Sequence, residues 1–321
     1  MVRLQARDSL WLILALSLLS GCSSGPLRKF EEGDLGKEMS EDIAKKFEIK
    51  DLPAATPVPT PTPEPKKNHN KKKKIESAPK AKVIPVRRPQ VMPFGVGEKL
   101  RYDIRFVGVT AAHMELEVMP EKSISDRKVI PIRSRIKTVP VFDLVYRVDD
   151  NVFSYFDAEG MFSHRFTMDL DESKQSRKLI ELYDYDKNMS FFWNRIQHSE
   201  KGFIEQKESH TIKPWSQDPL SAIYFLRTVD LPRESGIEFR YPVILDGKPW
   251  ESVLRFAGKE RIYAGRKERD AVVYQVENHH KGELRNRENK IWLSDDERRL
   301  VLRIETKLKI GSFAVALDQI L

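Results

Sequence analysis

The sequence predicts a mainly β protein: an antiparallel meander forming a curved sheet or open half barrel with one short buried helix, preceded by a disordered tether. Three observations lead there. Apolar and charged residues alternate over many short stretches, turn-forming residues separate those stretches, and a proline- and lysine-rich segment comes before them. Alternation with a period of two gives a strand one apolar and one polar face.

The chain opens on a different signal. Arg3 and Arg7 precede an apolar run from Leu10 to Leu19, which leads into Leu19-Ser20-Gly21-Cys22. This order reads as a secretory signal over residues 1–21. The run is about ten residues long, and a membrane-spanning helix needs roughly twenty. The tetrapeptide resembles a lipobox, in which Cys22 would take a diacylglycerol and become the first mature residue. Cys22 is the single cysteine, so no disulfide competes for it and the exported fold must hold itself together without one. Several acyl chains, each buried methylene contributing about 0.8 kcal/mol, give stable anchoring. Ser23 follows the cysteine, where aspartate would signal inner-membrane retention under the enterobacterial rule. The expected address is the periplasmic face of the outer membrane.

Residues 22–92 read as a lipidated N-terminus and tether. A short helix is expected after Ser40, with Ile43 and Phe47 on one face. Pro57, Pro59, Pro61, Pro63 and Pro65 then favour polyproline II. Lys66, Lys67, Lys71, Lys72, Lys73 and Lys74 follow directly. The whole chain carries a net charge of +8, yet residues 93–321 hold 38 Lys+Arg against 37 Asp+Glu, a net of +1. The folded part is therefore balanced, and nucleic acid is not an expected partner. The six lysines are expected to meet anionic headgroups, lipopolysaccharide or cell-wall polymer, or else to serve as a solvated spacer.

Residues 93–321 suffice for one core. Strands are expected around Leu100 to Phe106, Met114 to Val118, Phe142 to Val148, Phe162 to Leu170, Phe239 to Val243, Leu300 to Leu308 and Phe313 to Leu317. Asp184 to Asn188, Asp246-Gly247 and Asp295-Asp296-Glu297 supply turns. Asp218 can cap a helix with Pro219 at its first position. Leu220, Ala222, Ile223, Tyr224, Phe225 and Leu226 make that helix apolar nearly all round, so it should be buried.

Three patches in this order resemble a known bacterial exported family, domain of unknown function 3108. They are FGVGEKLRYDIRFVGVTAAHMELEV (94–118), DPLSAIYFLRTVDL (218–231) and IWLSDDERRLVLRIETKLKIGSFAVAL (291–317). Val301 departs from the proline often found there. The resemblance implies a curved antiparallel sheet in the cell envelope and no particular reaction. At the level of architecture it is also similar to half-barrel lipoprotein carriers that close over a helix and hold acyl chains, an analogy of fold alone.

The chemical motifs are weak. Asp184 to Ser190 mimics the start of a calcium loop, but Met189 stands where glycine is needed and Arg195 where a bidentate glutamate is needed. His279 and His280 are adjacent and would point to opposite strand faces. No nucleophile elbow, phosphate loop or dinucleotide fingerprint occurs. No metal or cofactor is expected. Asp149, Asp150 and Asp157 are candidate acids for a polymer hydrolase, although a bend or sheet edge accounts for Asp149 to Asn151 more simply.

The function expected from sequence is therefore a non-enzymatic envelope lipoprotein whose β domain binds an apolar or amphipathic molecule, or a partner protein. Trp215, Leu220, Ile223, Tyr224 and Trp250 are the candidate apolar contacts, with core packing as the alternative for each. A structural module docking cell wall or lipopolysaccharide through its lysines comes second, and an envelope-polymer hydrolase third.

Overall fold

The computed structural model describes residues 40–52, 87–281, 283–308 and 311–321. The signal segment, Cys22, the proline ladder and Lys66 to Lys74 lie outside the described residues. A short helix α1 (Glu41–Lys46) and strand β1 (Lys50–Asp51) come first. The first arm of the sheet is β2 (Lys99–Phe106), β3 (Val109–Val118), β4 (Lys122–Ile124), β5 (Arg127–Thr138), a helical turn α2 (Pro140–Asp143), β6 (Val148–Asp157), β7 (Ser163–Glu172), β8 (Gln175–Asp184), β9 (Met189–His198) and β10 (Gly202–Thr211). Helix α3 (Pro219–Thr228) leads to the second arm: β11 (Glu238–Leu245), β12 (Lys248–Ala264), β13 (Lys267–His280), β14 (Glu283–Ser294), β15 (Val301–Leu308) and β16 (Gly311–Ile320).

All strands join one open antiparallel sheet ordered β10-β9-β8-β7-β6-β5-β3-β2-β16-β15-β14-β13-β12-β11, with β4 and β1 beside β5. The two arms meet at its centre, where β16 pairs with β2 from Phe313 opposite Phe106 to Ile320 opposite Leu100. The outer edges, β10 and β11, are consecutive in sequence, so the chain must cross the open side between them. Residues 212–218 begin that crossing. The Gln217 amide donates to Pro242 O, Ile244 donates back to Gln217 O, and Ser163 donates to Ser216 O. An open sheet of this length exposes its apolar face unless something covers it, and α3 is that cover.

Sequence explains why α3 forms there. The Asp218 side chain accepts from the Leu220 and Ser221 amides, Ser221 Oγ accepts from the Asp218 amide, and Pro219 sits at the first position. This is a capping box on a buried helix. Eight of the ten residues are buried, so the helix belongs to the core. Asp218 is itself enclosed, and the Ser154 and Ser163 hydroxyls donate to its Oδ2 at 2.5 Å each, tying the cap to β6 and β7. At the other end Arg227 is 2% exposed. Its guanidinium binds Glu98 through Nη1 (2.6 Å) and Nη2 (2.9 Å), and also donates to Pro93 O and Arg298 O. The rings of Phe94 and Tyr224 flank it at 5.1 Å each.

On the outer face, α1 lies over a separate apolar patch. Phe47 is buried with Ile124, Val129 and Leu182, and Ile43 packs beside it. Burying such a phenylalanine contributes roughly 2 to 3 kcal/mol. Lys46 fixes the helix end on Asp184 and Asp186, at 2.8 Å each. Those aspartates belong to the β8–β9 hairpin, whose Asp184 also accepts the Asp186 and Lys187 amides.

Two local expectations are corrected. The alternation at Phe142, Leu144, Tyr146 and Val148 does not make a strand. Pro140 starts a helical turn, Thr138 bonds Asp143, and pairing resumes only at Val148. Asp149, Asp150 and Asn151 lie at neither bend nor edge, because β6 pairs on both sides through these residues.

The Arg227–Glu98 pair gives a stability test. Arg227→Ala leaves the buried Glu98 carboxylate with only the half-exposed Arg298 at 3.2 Å and should lower the unfolding free energy by about 3 kcal/mol. The double variant Arg227→Met, Glu98→Leu should lose less, as read from urea denaturation midpoints.

Candidate functional site

Between α3 and the inner face of the second arm lies an apolar cavity of about 70 Å³ that opens to solvent. The helix contributes Ala222, Ile223 and Leu226, and the sheet contributes Val243, Leu245, Val276, Ile291 and Ile304. Across four strands the same lining includes Ser252, Asn278, Asn289 and Thr306. These four are buried. They are paired in a row: Ser252 Oγ donates to Asn278 Oδ1 at 2.6 Å, and Thr306 Oγ1 donates to Asn289 Oδ1 at 2.8 Å. Tyr241 stands opposite Ser252 in register. Burial pushes its phenol up to about 12 against the easing bond from Ser252, so it stays a neutral donor at physiological pH.

Two residues closer to the strand ends, Trp250 packs against His280 with ring centroids 4.8 Å apart, and His280 Nδ1 meets Pro249 O at 2.8 Å. The inner face of β12 to β15 therefore grades from aliphatic beneath the helix, through an amide and hydroxyl band, to the Trp250–His280 pair beyond the cavity. That gradient suits an amphipathic guest. A water-sized volume is about 30 Å³, so the cavity is small, with room for only a few heavy atoms beneath the helix.

The sequence-derived contacts are dispersed. Ile223 lines the cavity. Leu220 is core, and Tyr224 turns away to meet Phe94 edge-on at 4.8 Å. Trp215 packs between Phe162 (4.9 Å) and Tyr185 (5.6 Å) near the crossing segment. Trp250 does not line this cavity; it borders a second groove of about 380 Å³ with Lys213, Arg240, Glu251 and His279. The polar band escaped the reading of the sequence, although a signal exists. Thr306 follows Leu302 and Ile304 at strand parity, and Asn278 follows Tyr274 and Val276 in the same way.

The first arm encloses carboxylates. Asp150 is 2% exposed; burial, and then Glu172, push its pKa up to about 8. Burial also raises Glu172, opposed by bonds from Tyr146 (2.5 Å) and Gln175 (2.9 Å). The pair has the raised pKa values that acid catalysis asks for, but both groups are enclosed and neither lines either cavity. Asp149 faces outward to Arg135 (3.3 Å) and Lys137 (3.7 Å). Burial alone would raise Asp157, but Arg127 (2.5 and 2.8 Å) and His164 (2.7 Å) outweigh it and hold the carboxyl well below the usual range. Asp157 is thus fixed as an anion in a buried pair. Among the described residues no group of three or more His, Cys, Asp or Glu is placed to hold a metal ion. No helix among them is long and apolar enough to cross a membrane.

Comparison with known proteins adds a family. The model of the family described as "Protein of unknown function (DUF3108)" matches residues 101–318. No curated protein matches the chain significantly. Similar solved structures include a beta-barrel-like protein of DUF1849 from Brucella abortus, at 9% identity, TM-score 0.42, and coverage of 70% of this chain and 97% of that one. A Bacteroides fragilis protein of YmcC-like fold has 8% identity, TM-score 0.31, and coverage of 72% and 98%. A lipoprotein candidate from Parabacteroides distasonis has 10% identity, TM-score 0.30, and coverage of 75% and 100%. These likenesses are too loose to carry an argument about function.

The enclosed acids predict a pH dependence. The folded state holds Asp150 protonated up to about pH 8, whereas the unfolded chain releases that proton near pH 4. Its stabilising contribution is therefore fully present below about pH 4 and is lost as pH rises toward 8. Asp150→Asn should flatten the fall in urea midpoint between pH 5 and pH 8.

Proposed function

Because the chain belongs to the DUF3108 family, whose members come with no reaction attached, we propose a role from its own site: a non-enzymatic, lipid-anchored protein of the cell envelope that holds an acyl chain or similar amphipathic ligand between α3 and the second arm. The observation that carries this reading is the cavity, walled by Ile223, Leu226, Val243, Ile291 and Ile304 and bounded by Ser252, Asn278, Asn289 and Thr306. Apolar walls with a few convergent polar groups are the usual form of a small-molecule site. Buried asparagine amides carry both donors and acceptors, so they can meet an ester or a hydroxyl. The lipobox at Leu19 to Cys22 supports an anchor, and Ser23 supports the periplasmic face of the outer membrane as its destination. The lysines from Lys66 to Lys74 would then lie near anionic headgroups, lipopolysaccharide or cell wall.

Two experiments test this. Native mass spectrometry of the mature protein, followed by solvent extraction, should find a bound lipid. Ile223→Trp fills the cavity and should remove that mass while the protein stays folded; a chain that never carries lipid would contradict ligand holding. For the anchor, Cys22→Ala should leave an unlipidated, uncleaved precursor on a gel, and normal processing of that variant would refute the lipobox.

A further inference from the structure

Antiparallel pairing places the β2–β3 turn, the β5–β6 loop that contains α2, and the β11–β12 and β13–β14 turns on one rim of the sheet. Of the eleven exposed large apolar residues among the described residues, five sit in or beside the first two of these connections: Val107 (59%), Val109 (57%), Val141 (67%), Leu144 (89%) and Val145 (65%). The two connections are neighbours, since the Val139 amide donates to Ala111 O across β5 and β3. The rest of the surface carries its exposed apolar residues singly or in smaller groups, which needs no explanation. This cluster does.

The β2–β3 turn adds an independent observation. Val107 and Gly108 both have positive φ, +48° and +83°. A two-residue hairpin turn of this kind favours Asn-Gly, and a β-branched residue in the left-handed region is strained. Valine at this largely exposed hairpin tip therefore gains little packing and no backbone ease. Strain of this kind is retained where function requires the side chain.

Charge says what the rim meets. Directly beneath the tips, on the outer face, stand Arg105, Arg135, Lys137 and Arg147, with side chains 43–60% exposed. Their partners Asp103, Asp149 and Asp171 are set deeper, at 14–32%. The cations thus face outward below largely apolar tips, on which Asp143 is also exposed. Protruding valines and a leucine above a collar of long basic side chains match a bilayer, whose tails take the tips and whose phosphates take the collar.

We infer that this rim is a membrane-contact surface, in which Val107, Val109, Val141, Leu144 and Val145 enter the interface of a bilayer containing anionic phospholipid. The surface is distinct from the cavity, but its rim also carries Trp250 and His280, beyond the polar band of the ligand site. A rim seated in the interface would bring that end of the strands to the lipids.

The test uses the full mature chain with Cys22→Ser, so that no lipid anchor contributes, and an environment-sensitive fluorophore on Leu144→Cys. With vesicles of phosphatidylethanolamine and phosphatidylglycerol, emission should shift to the blue and be quenched by brominated acyl chains. The same fluorophore on Lys267→Cys, at the opposite rim, should stay water-like. Leu144→Asp with Val145→Asp should weaken vesicle binding about tenfold or more, the loss expected from removing two inserting side chains, and leave the thermal midpoint unchanged. Water-like emission at position 144 in the presence of vesicles would overturn the inference. So would a blue shift that appears without vesicles and grows with protein concentration, which would assign the patch to a second copy of the chain. Neither readout depends on bound lipid, so failure here and failure of ligand holding are separable.

Discussion

A long open sheet with one apolar face can persist as a monomeric fold only if that face is covered, and here the cover is a ten-residue helix held at both ends by buried charge. Asp218 fixes the N-terminus to β6 and β7 through Ser154 and Ser163. Arg227 fixes the C-terminus to Glu98 just ahead of β2. A helix this short has little stability of its own, so its position follows from these attachments and from the apolar side chains it buries. Ionic pairs in a core add less to stability than packed apolar groups would, but a pair that is broken leaves an uncompensated charge. Such contacts define one position for α3 and penalise the others.

The same arrangement produces the cavity. Leu220, Tyr224 and Phe225 are buried on the helix and complete the core, while Ala222, Ile223 and Leu226 line the cavity toward the second arm. Inward positions on β12 to β15 turn from aliphatic to polar toward one end of the strands, and the polar groups satisfy one another in pairs. Paired amides and hydroxyls cost little to enclose and remain available to a ligand that offers equivalent partners. The first arm places ionisable groups in a dry interior instead, where burial raises the pKa of Asp150 and Glu172 and Asp157 is held ionised by Arg127 and His164.

Much of the architecture was legible because it rests on period and capping. Leu100 to Phe106 and Phe313 to Leu317 alternate cleanly, and they form the two strands that meet at the centre of the sheet. Asp218-Pro219 marked the start of the helix, and the apolar residues from Leu220 to Leu226 marked it as buried. The β5–β6 connection misled because Phe142, Leu144 and Tyr146 copy strand periodicity, and only Pro140 with the Thr138–Asp143 bond decides otherwise. Its true conformation is what leaves Leu144 exposed. The cavity was less legible still. Ser252, Asn278, Asn289 and Thr306 lie on four strands, and the registers that align them depend on a bulge between Val276 and Asn278 that no local pattern announces. Trp215 and Trp250 drew notice as large aromatics, but size alone does not say which wall a side chain joins.

The central proposal is that an acyl chain or similar amphipathic ligand is held between α3 and the second arm. Hydrogen–deuterium exchange of the full mature protein, with and without a diacyl phospholipid, tests it most directly. The account predicts slower exchange confined to residues 219–228 and to the cavity-lining parts of β11 to β15. Unchanged exchange in those segments at saturating phospholipid would contradict it.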